Sequence, residues 1–501
     1  MRKLVFTIIL FLLIAYPCFS SEGVGKPTSV ELTIYNQNFA LVKEVRRMSL
    51  EKGINFVFVP DVAAMIQPET VAFKSLTDPE SVVVREQNYR YDLINPLTIL
   101  NKSVGKPVKI RRYSGGTMFT DEGILLNPAS VITQDVQPAG YGYDVGQPRS
   151  LTQYNGLVIR TEKGIILNPI GEVEVTELPE GLVSRPTLEW KIEATKPGNH
   201  DTEISYLANS INWKADYVAV VDALDKKVDI TGWVTLDNKS GATYENATLN
   251  LMAGDVHRVT PSPRGVGAYA GYDVKLAMPE PQFTEKAFFE YHLYTLQGKT
   301  TVRDKETKQI SLLSAAEVPA KKIYIYDGRE SWWRSWRGSV GYRPGESYDV
   351  STNKKVNVFV EFVNSKDNNL GIPLPKGTVR VYKQEADANR HFVGEDEIDH
   401  TPKDEKIRLY LGDAFDIVGE HKRTNFRRIS DREVEESFEI TIRNHKDLPV
   451  SVLVVEHLLG DWRIVESSHK YFKKDASTVE IPVEVPKNSE LKIIYVARTR
   501  W

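Results

Sequence analysis

The densest set of metal-competent side chains lies at His391-Phe-Val-Gly-Glu395-Asp396-Glu397-Ile-Asp399-His400, with Asp404 and Glu405 just beyond. Six carboxylates and two imidazoles fall within fifteen residues. Imidazole with carboxylate suits zinc or manganese, and carboxylate alone suits calcium. The segment 391–405 is thus the candidate centre of a metal-assisted hydrolase, with His391, Glu395, Asp396, Glu397, Asp399 and His400 as ligands. Against this, the spacing matches no known metal loop, and neighbouring acids on an exposed hairpin are ordinarily solvated. The expectation is no cofactor, with a divalent ion as the alternative.

The second constellation is Trp332-Trp333-Arg334-Ser-Trp336-Arg337-Gly338, which gathers three of the eight tryptophans into five residues. Turn-like sequence surrounds it, so burying all three rings would be awkward. Exposed indoles stack on sugar faces, sit at membrane interfaces or anchor protein partners. The arginines add cation–π contacts or pair with anionic groups. Trp332, Trp333, Arg334, Trp336 and Arg337 are therefore candidate ligand-binding residues, for a polysaccharide or an envelope protein.

Other chemistry is thinner. His292 lies beside Glu290 among aromatics, and a Glu–His pair could transfer a proton, but a satisfied core or loop histidine is the expectation. Ser351-Thr-Asn-Lys354 and Ser467-Ser-His-Lys470 match a bare Ser-x-x-Lys spacing that chance supplies in any long chain. No Walker loop, His-Glu-x-x-His, Gly-x-Ser-x-Gly or dinucleotide glycine fingerprint occurs. The reading leans away from catalysis, with no catalytic residue assigned.

What must position these residues is a chain of short strands. Period-two alternation is clearest at Val356–Phe362, Ile407–Leu411, Phe438–Ile442, Val479–Val485 and Leu491–Tyr495. Alternation turns one face to a core and one to water, as sandwich strands do. Pro482 marks 479–485 as an edge strand. Helical patterns are short, at 60–66, 91–102 and 313–317. The fold class expected is mainly β in several domains, with a β-sandwich C-terminal region and a small barrel-like domain near the N-terminal third.

The N-terminus reads as an address. Arg2 and Lys3 precede an apolar run, Leu4–Tyr16, that Pro17 ends before small residues at Cys18 and Ser20. This is the anatomy of a secretory signal peptide, residues 1–20, cleaved after Ser20. A retained anchor would need about 20 apolar residues. The 501 residues hold 64 basic and 67 acidic side chains, net −3. Without Arg2 and Lys3 the mature chain is net −5, which argues against a nucleic-acid partner. Cys18 is the only cysteine, so the mature chain is cysteine-free and disulfides, Cys-based zinc sites and iron–sulfur clusters are excluded. No apolar run in the mature chain is long enough to be a transmembrane helix. The terminal aromatic Trp501 would suit an outer-membrane barrel, but charges interrupt both faces of many strands. A periplasmic or extracellular location is expected.

Composition shifts suggest an N-terminal β domain at 21–95, a small barrel-like domain with an inserted loop at 96–183, and a sandwich region at 186–501 with a mobile loop at 260–282. Within the small domain, Glu122-Gly-Ile-Leu-Leu-Asn-Pro128 is echoed by Lys163-Gly-Ile-Ile-Leu-Asn-Pro169. One echo makes no solenoid. It reads as two similar hairpins in one domain.

From residue 186 the sequence carries PTLEWKIEA, ISYLANSINWKADYVAVV and GWVTLDNKSGATYENATLNLMAGDVHRV, then FFEYHLYTLQGKTTVRDKETKQISL and the ending KIIYVARTRW. These blocks, in this order, resemble the exported bacterial proteins grouped as domain of unknown function 4139. The similarity covers about 186–501, and the N-terminal portion matches the usual preamble. The resemblance implies a β-sandwich fold and transfers no catalytic residue. Read physically, Tyr206, Trp213 and Tyr217 should plug the gap between two sheets, and Asn238-Lys-Ser-Gly241 should be a turn in which Asn bonds its own backbone.

Overall fold

The computed structural model describes residues 24–114, 117–128, 130–135, 150–169, 171–254, 256–257, 282–329 and 353–500. The segment 1–20 that reads as a signal peptide, nearly all of 260–282 and the tryptophan cluster 332–337 lie outside the described residues. The molecule is mainly β, built from several sheets.

A seven-stranded sheet runs, in spatial order, Phe283–Phe288, Tyr291–Val302, Tyr244–Ala253, Ser29–Tyr35, Phe39–Leu50, Gly198–Asn209 and Ala72–Ser75. The first two strands of the chain thus pair with strands from beyond residue 186. Ser29–Tyr35 lies parallel to Tyr244–Ala253, and Phe39–Leu50 is antiparallel to Gly198–Asn209. Gly53–Pro60 and Val82–Arg90 flank Thr187–Ala194 in a three-stranded sheet. These two sheets and the strands Ile211–Val221, Lys227–Asn238 and the first half of Glu306–Asp327 enclose the first core. Tyr206, Trp213 and Tyr217 are buried there, as their alternation requires. Trp213 Nε1 donates to Met252 O at 3.2 Å and the Tyr217 hydroxyl to Pro375 O at 2.8 Å, so neither polar tip is stranded. Glu44 and Arg46 also face this core and close on each other, with Nε to Oε2 at 2.8 Å.

Two long strands carry the fold into a second core. Glu306–Asp327 pairs with Lys227–Asn238 in its first half. In its second half it pairs with Lys355–Val363 on one side and with Val450–His457, in parallel, on the other. Lys406–Ser430 likewise begins in the first core at Ile407 and Leu409 and reaches the second at Ile417. The second core fills the space between Val450–His457 and Thr478–Val485 on one side and Glu433–Asn444 and Ser489–Arg500 on the other. Pro482 faces the open side of its strand: the short Phe472–Lys473 strand reaches only Val479 and Glu480. The edge expected from proline is there.

The small domain departs from the barrel expectation. Its strands form an open five-stranded sheet, Gly164–Leu167, Val158–Thr161, Thr117–Leu125, Pro107–Ser114 and Glu172–Val175, over a small core with Leu100 and Ile110. Four-residue outer strands are too short to meet and close it. The sequence echo has a structural reason. Asn127 and Asn168 both grip the segment 156–158 between them: Asn127 Oδ1 accepts from Val158 N at 2.8 Å, and Asn168 Oδ1 accepts from Gly156 N at 2.7 Å. The echoed segments are the second strands of two hairpins, Pro107–Ser114 with Thr117–Leu125 and Val158–Thr161 with Gly164–Leu167, which join side by side in one sheet.

Of the three helical patterns, only Pro96–Lys102 is an α-helix, capped by Asn95 Oδ1 accepting from Thr98 N at 2.9 Å. Residues 60–66 run from the end of the Gly53–Pro60 strand through irregular chain and a turn at 64–65 to a bridge between Ile66 and Ala208, and 313–317 lie inside the Glu306–Asp327 strand, where ladder pairing overrides local helix propensity.

Candidate functional site

The 391–405 carboxylates do not converge. His391 to Ile398 lie on the strand Arg390–Ile398, whose alternation sends neighbouring side chains to opposite faces. His391 Nε2 is 3.5 Å from Glu385, and Glu395 is 3.4 Å from Arg380. Asp396 accepts from Tyr410 N at 2.8 Å and from Glu397 N at 2.9 Å. Glu397 stands opposite Thr378 across the ladder, and Asp399 is 3.7 Å from Lys376. His400 engages both ring nitrogens: Nδ1 accepts from Lys376 N at 3.2 Å, and Nε2 is 3.2 Å from the Asn36 amide in the first hairpin. Among the described residues no three His, Asp or Glu side chains form a metal-holding group.

His292 finds its partner across the ladder rather than along the chain, with Nδ1 2.7 Å from Glu285 Oε1. Ser467 donates to His469 O at 2.7 Å, a turn contact rather than a nucleophile with its lysine.

A buried polar cluster that sequence reading missed lies in the second core. On the Val450–His457 strand, positions 450, 452 and 454 put valines inward, and the next inward position is Glu456. On Lys406–Ser430 the inward series Ile417, Gly419 ends at His421, and on Ser489–Arg500 Ile493 is followed by Tyr495. A charged residue in register with an apolar face was the available signal.

Glu456 Oε2 collects both neighbours: His421 Nε2 at 3.1 Å and the Tyr495 hydroxyl at 2.5 Å. Glu456 Oε1 and His421 Nδ1 have no hydrogen-bond partner. Beside them Asp327 Oδ2 meets His457 Nε2 at 2.9 Å. Arg329, buried as well, lies over the Phe438 ring at 5.6 Å and donates from Nη1 to His457 O at 3.4 Å. Phe438 in turn stacks on Tyr495, with centroids 5.1 Å apart. Burial pushes the Glu456 carboxyl up, but His421, Arg329 and the Tyr495 hydroxyl outweigh it and hold the group below the ordinary carboxylate range. Burial and the Glu456 charge push the Tyr495 hydroxyl well up. The cluster therefore holds a buried carboxylate in its ionised form.

Its position ties it to the tryptophan segment. Residues 330–352 begin directly after Arg329, and the chain is described again from Asn353. Asn353 N donates to Gly328 O at 3.1 Å and its Nδ2 to Asp327 O at 3.3 Å, while Tyr326 donates its hydroxyl to Asn353 O at 2.7 Å. The described residues on either side of 330–352 thus lie side by side next to the cluster. Close packing fixes them further. A Cβ at Gly419 would fall 2.0 Å from the Tyr326 ring, and one at Gly328 would fall 2.7 Å from His421 Cβ.

Compared with protein-family models and with curated proteins, the chain matches none.

Proposed function

We propose that the chain is an exported envelope protein, periplasmic or extracellular, of the domain of unknown function 4139 kind, and that it acts by binding or scaffolding without covalent catalysis. The tryptophan-rich segment 330–352 is its contact surface, for an envelope protein or a polysaccharide. The observation that carries this reading is the pinned base. Gly328 and Asn353 are hydrogen-bonded to each other beside a buried ionised cluster, and they lie just outside the strands Glu306–Asp327 and Lys355–Val363, which pair with each other. A contact surface set on rigid elements loses less freedom on binding. Three indoles and two arginines supply the side chains that carry binding energy in such surfaces. The N-terminal sequence supports the location.

The test is capture from envelope and polysaccharide fractions by the protein and by a variant with Trp332, Trp333 and Trp336 changed to Ala. The variant should lose the captured material. Equal capture by both would overturn the reading.

A further inference from the structure

The second half of Glu306–Asp327, the strand Lys355–Val363 and the start of Lys406–Ser430 form a sheet with one face that belongs to neither core. Val356, Val360 and Phe362 point into the cores, as do Ile407 and Leu409. Alternation therefore sends Asn357, Phe359 and Glu361 outward, together with Lys406, Arg408 and Tyr410. The ladder sets these outward residues in rows. Lys321, Glu361 and Arg408 are direct cross-strand partners, and the next row is Ile323, Phe359 and Tyr410. Two residues of strand, about 7 Å, separate the rows.

The first row gathers cations. Glu361 is only 5% exposed, and one of its oxygens accepts from Arg408 Nε at 3.1 Å and Nη2 at 2.7 Å. Its other oxygen takes Lys321 at 3.1 Å and Lys406 at 3.3 Å. Three cations thus share one carboxylate, in a chain whose net charge is −3. The buried carboxylate positions them, and both lysines, more than half exposed, keep donors for a further acceptor. The second row is aromatic. The Phe359 and Tyr410 rings lie 5.4 Å apart at 53°, and Tyr410 is 38% exposed. On the far side of the rings Asp413 accepts from the Tyr410 hydroxyl at 3.0 Å and from Asn357 Nδ2 at 2.9 Å, and it pairs with Lys355 at 2.7 Å. That carboxylate has its own lysine and does not cancel the first row.

We propose that this face binds an acidic polysaccharide: Phe359 and Tyr410 pack on a sugar ring while Lys321, Lys406 and Arg408 hold a sugar carboxylate. Aromatic rings offer a flat apolar surface to the C–H face of a sugar. The cations one row away meet the charge by complementarity, and the guanidinium and ammonium groups are already in place, so little side-chain freedom is lost on binding. Asn357 and Asp413, at the opposite margin of the rings, offer an amide and a carboxylate to sugar hydroxyls. A lipid surface would have no use for that polar margin, and an acidic peptide would have none for the rings. The site is made of described strands alone and stands apart from the binding reading above.

The experiment is titration calorimetry of the full chain at low salt with polygalacturonate, with dextran as an uncharged sugar polymer and polyaspartate as an acidic polymer without sugar. Polygalacturonate should bind, and each control should bind at least about tenfold more weakly. Tyr410→Ala should weaken polygalacturonate about tenfold, whereas Tyr410→Phe, which keeps the ring and loses only the hydroxyl bond to Asp413, should bind as the wild type does. Lys321→Gln with Lys406→Gln should remove the preference for polygalacturonate over dextran. All of these variants keep Trp332, Trp333 and Trp336, so a loss in them is not a loss at the tryptophan segment. Absence of polygalacturonate binding, polyaspartate binding as tightly, Tyr410→Phe losing as much as Tyr410→Ala, or an undiminished preference in the lysine variant would each overturn the proposal. If Tyr410→Ala does not fold, the lysine variant, altered only at exposed side chains, decides.

Discussion

Asn238 and Asn444 are the same corner in two different cores. Asn238 ends the strand Lys227–Asn238 and aims Nδ2 at the carbonyls of Ala242, Val302 and Arg303. Asn444 ends Glu433–Asn444 and aims Nδ2 at those of Leu448, Val485 and Pro486. Each Oδ1 accepts the backbone N–H two residues on, at Ser240 and Lys446. Asn364 is a third version, donating to Ile372 O and Pro402 O and accepting from Gly371 N. In each case a buried amide satisfies carbonyls where one strand hands over to the next.

Removing that amide should therefore be costly far from any binding surface. Asn444→Ala leaves buried carbonyls without a donor and should destabilise the second core by about 3 kcal/mol. Asn444→Asp is nearly isosteric but turns an acceptor, or a charge, towards three oxygens, so it should be worse than alanine. Urea unfolding followed by near-UV dichroism checks both. A loss under about 1 kcal/mol in Asn444→Asp would show that the corner is solvated and replaceable.

Glu361 should govern the acid limb of stability. Its side chain is only 5% exposed, and it accepts from Arg408 Nη2 at 2.7 Å, with Lys321 at 3.1 Å and Lys406 at 3.3 Å. Burial pushes the carboxyl up, but Arg408 and Lys321 outweigh it and bring it to about 2. The folded value is depressed, so the stabilisation is full above 4.5 and disappears between 4.5 and about 2. Glu361→Gln should be less stable at neutral pH by roughly 2–3 kcal/mol. Its stability should then fall less steeply than the wild type's through that window, so that the two curves converge near its lower end. Parallel curves would place the acid sensitivity elsewhere.

The alternation of the C-terminal strands and the proline edge at 482 were legible because a two-residue period is written locally. The corner at Asn238 was legible as a turn, since its Oδ1 bond spans two residues. What connects distant segments was not. Tyr326, His421, Glu456 and Tyr495 meet only because strands more than thirty residues apart in sequence wrap one core. Glu456 left a trace, a carboxylate on the inward face of a valine series, but nothing local names its partners. The cluster 391–405 misled for the converse reason: proximity in sequence is not convergence when successive side chains on a strand diverge.

Divalent ions should accordingly leave the melting temperature unmoved. The Asp396 oxygens are held by Tyr410 N and Glu397 N, and both His400 ring nitrogens are engaged. Thermal melts with EDTA, with added calcium and with added zinc should superimpose, and elemental analysis should find no stoichiometric metal. A zinc-dependent rise of several degrees that His400→Gln abolishes would restore this segment as a metal centre.

Phe289 should be a site where substitution stabilises. It is the first of two residues joining the strands Phe283–Phe288 and Tyr291–Val302, and its φ of 55° lies in the left-handed region. A bulky side chain is strained there, whereas Asn and Gly are at home in such hairpin turns. The ring is 86% exposed, so little burial is forfeited by removing it. Phe289→Asn and Phe289→Gly should each raise stability by about 1 kcal/mol. Phe289→Ala keeps the Cβ and its clash, so it should give no comparable gain. Urea midpoints for the three variants distinguish relief of backbone strain from loss of the ring. If alanine stabilised as much as glycine, the strain account would fail and the exposed ring itself would be the destabilising element.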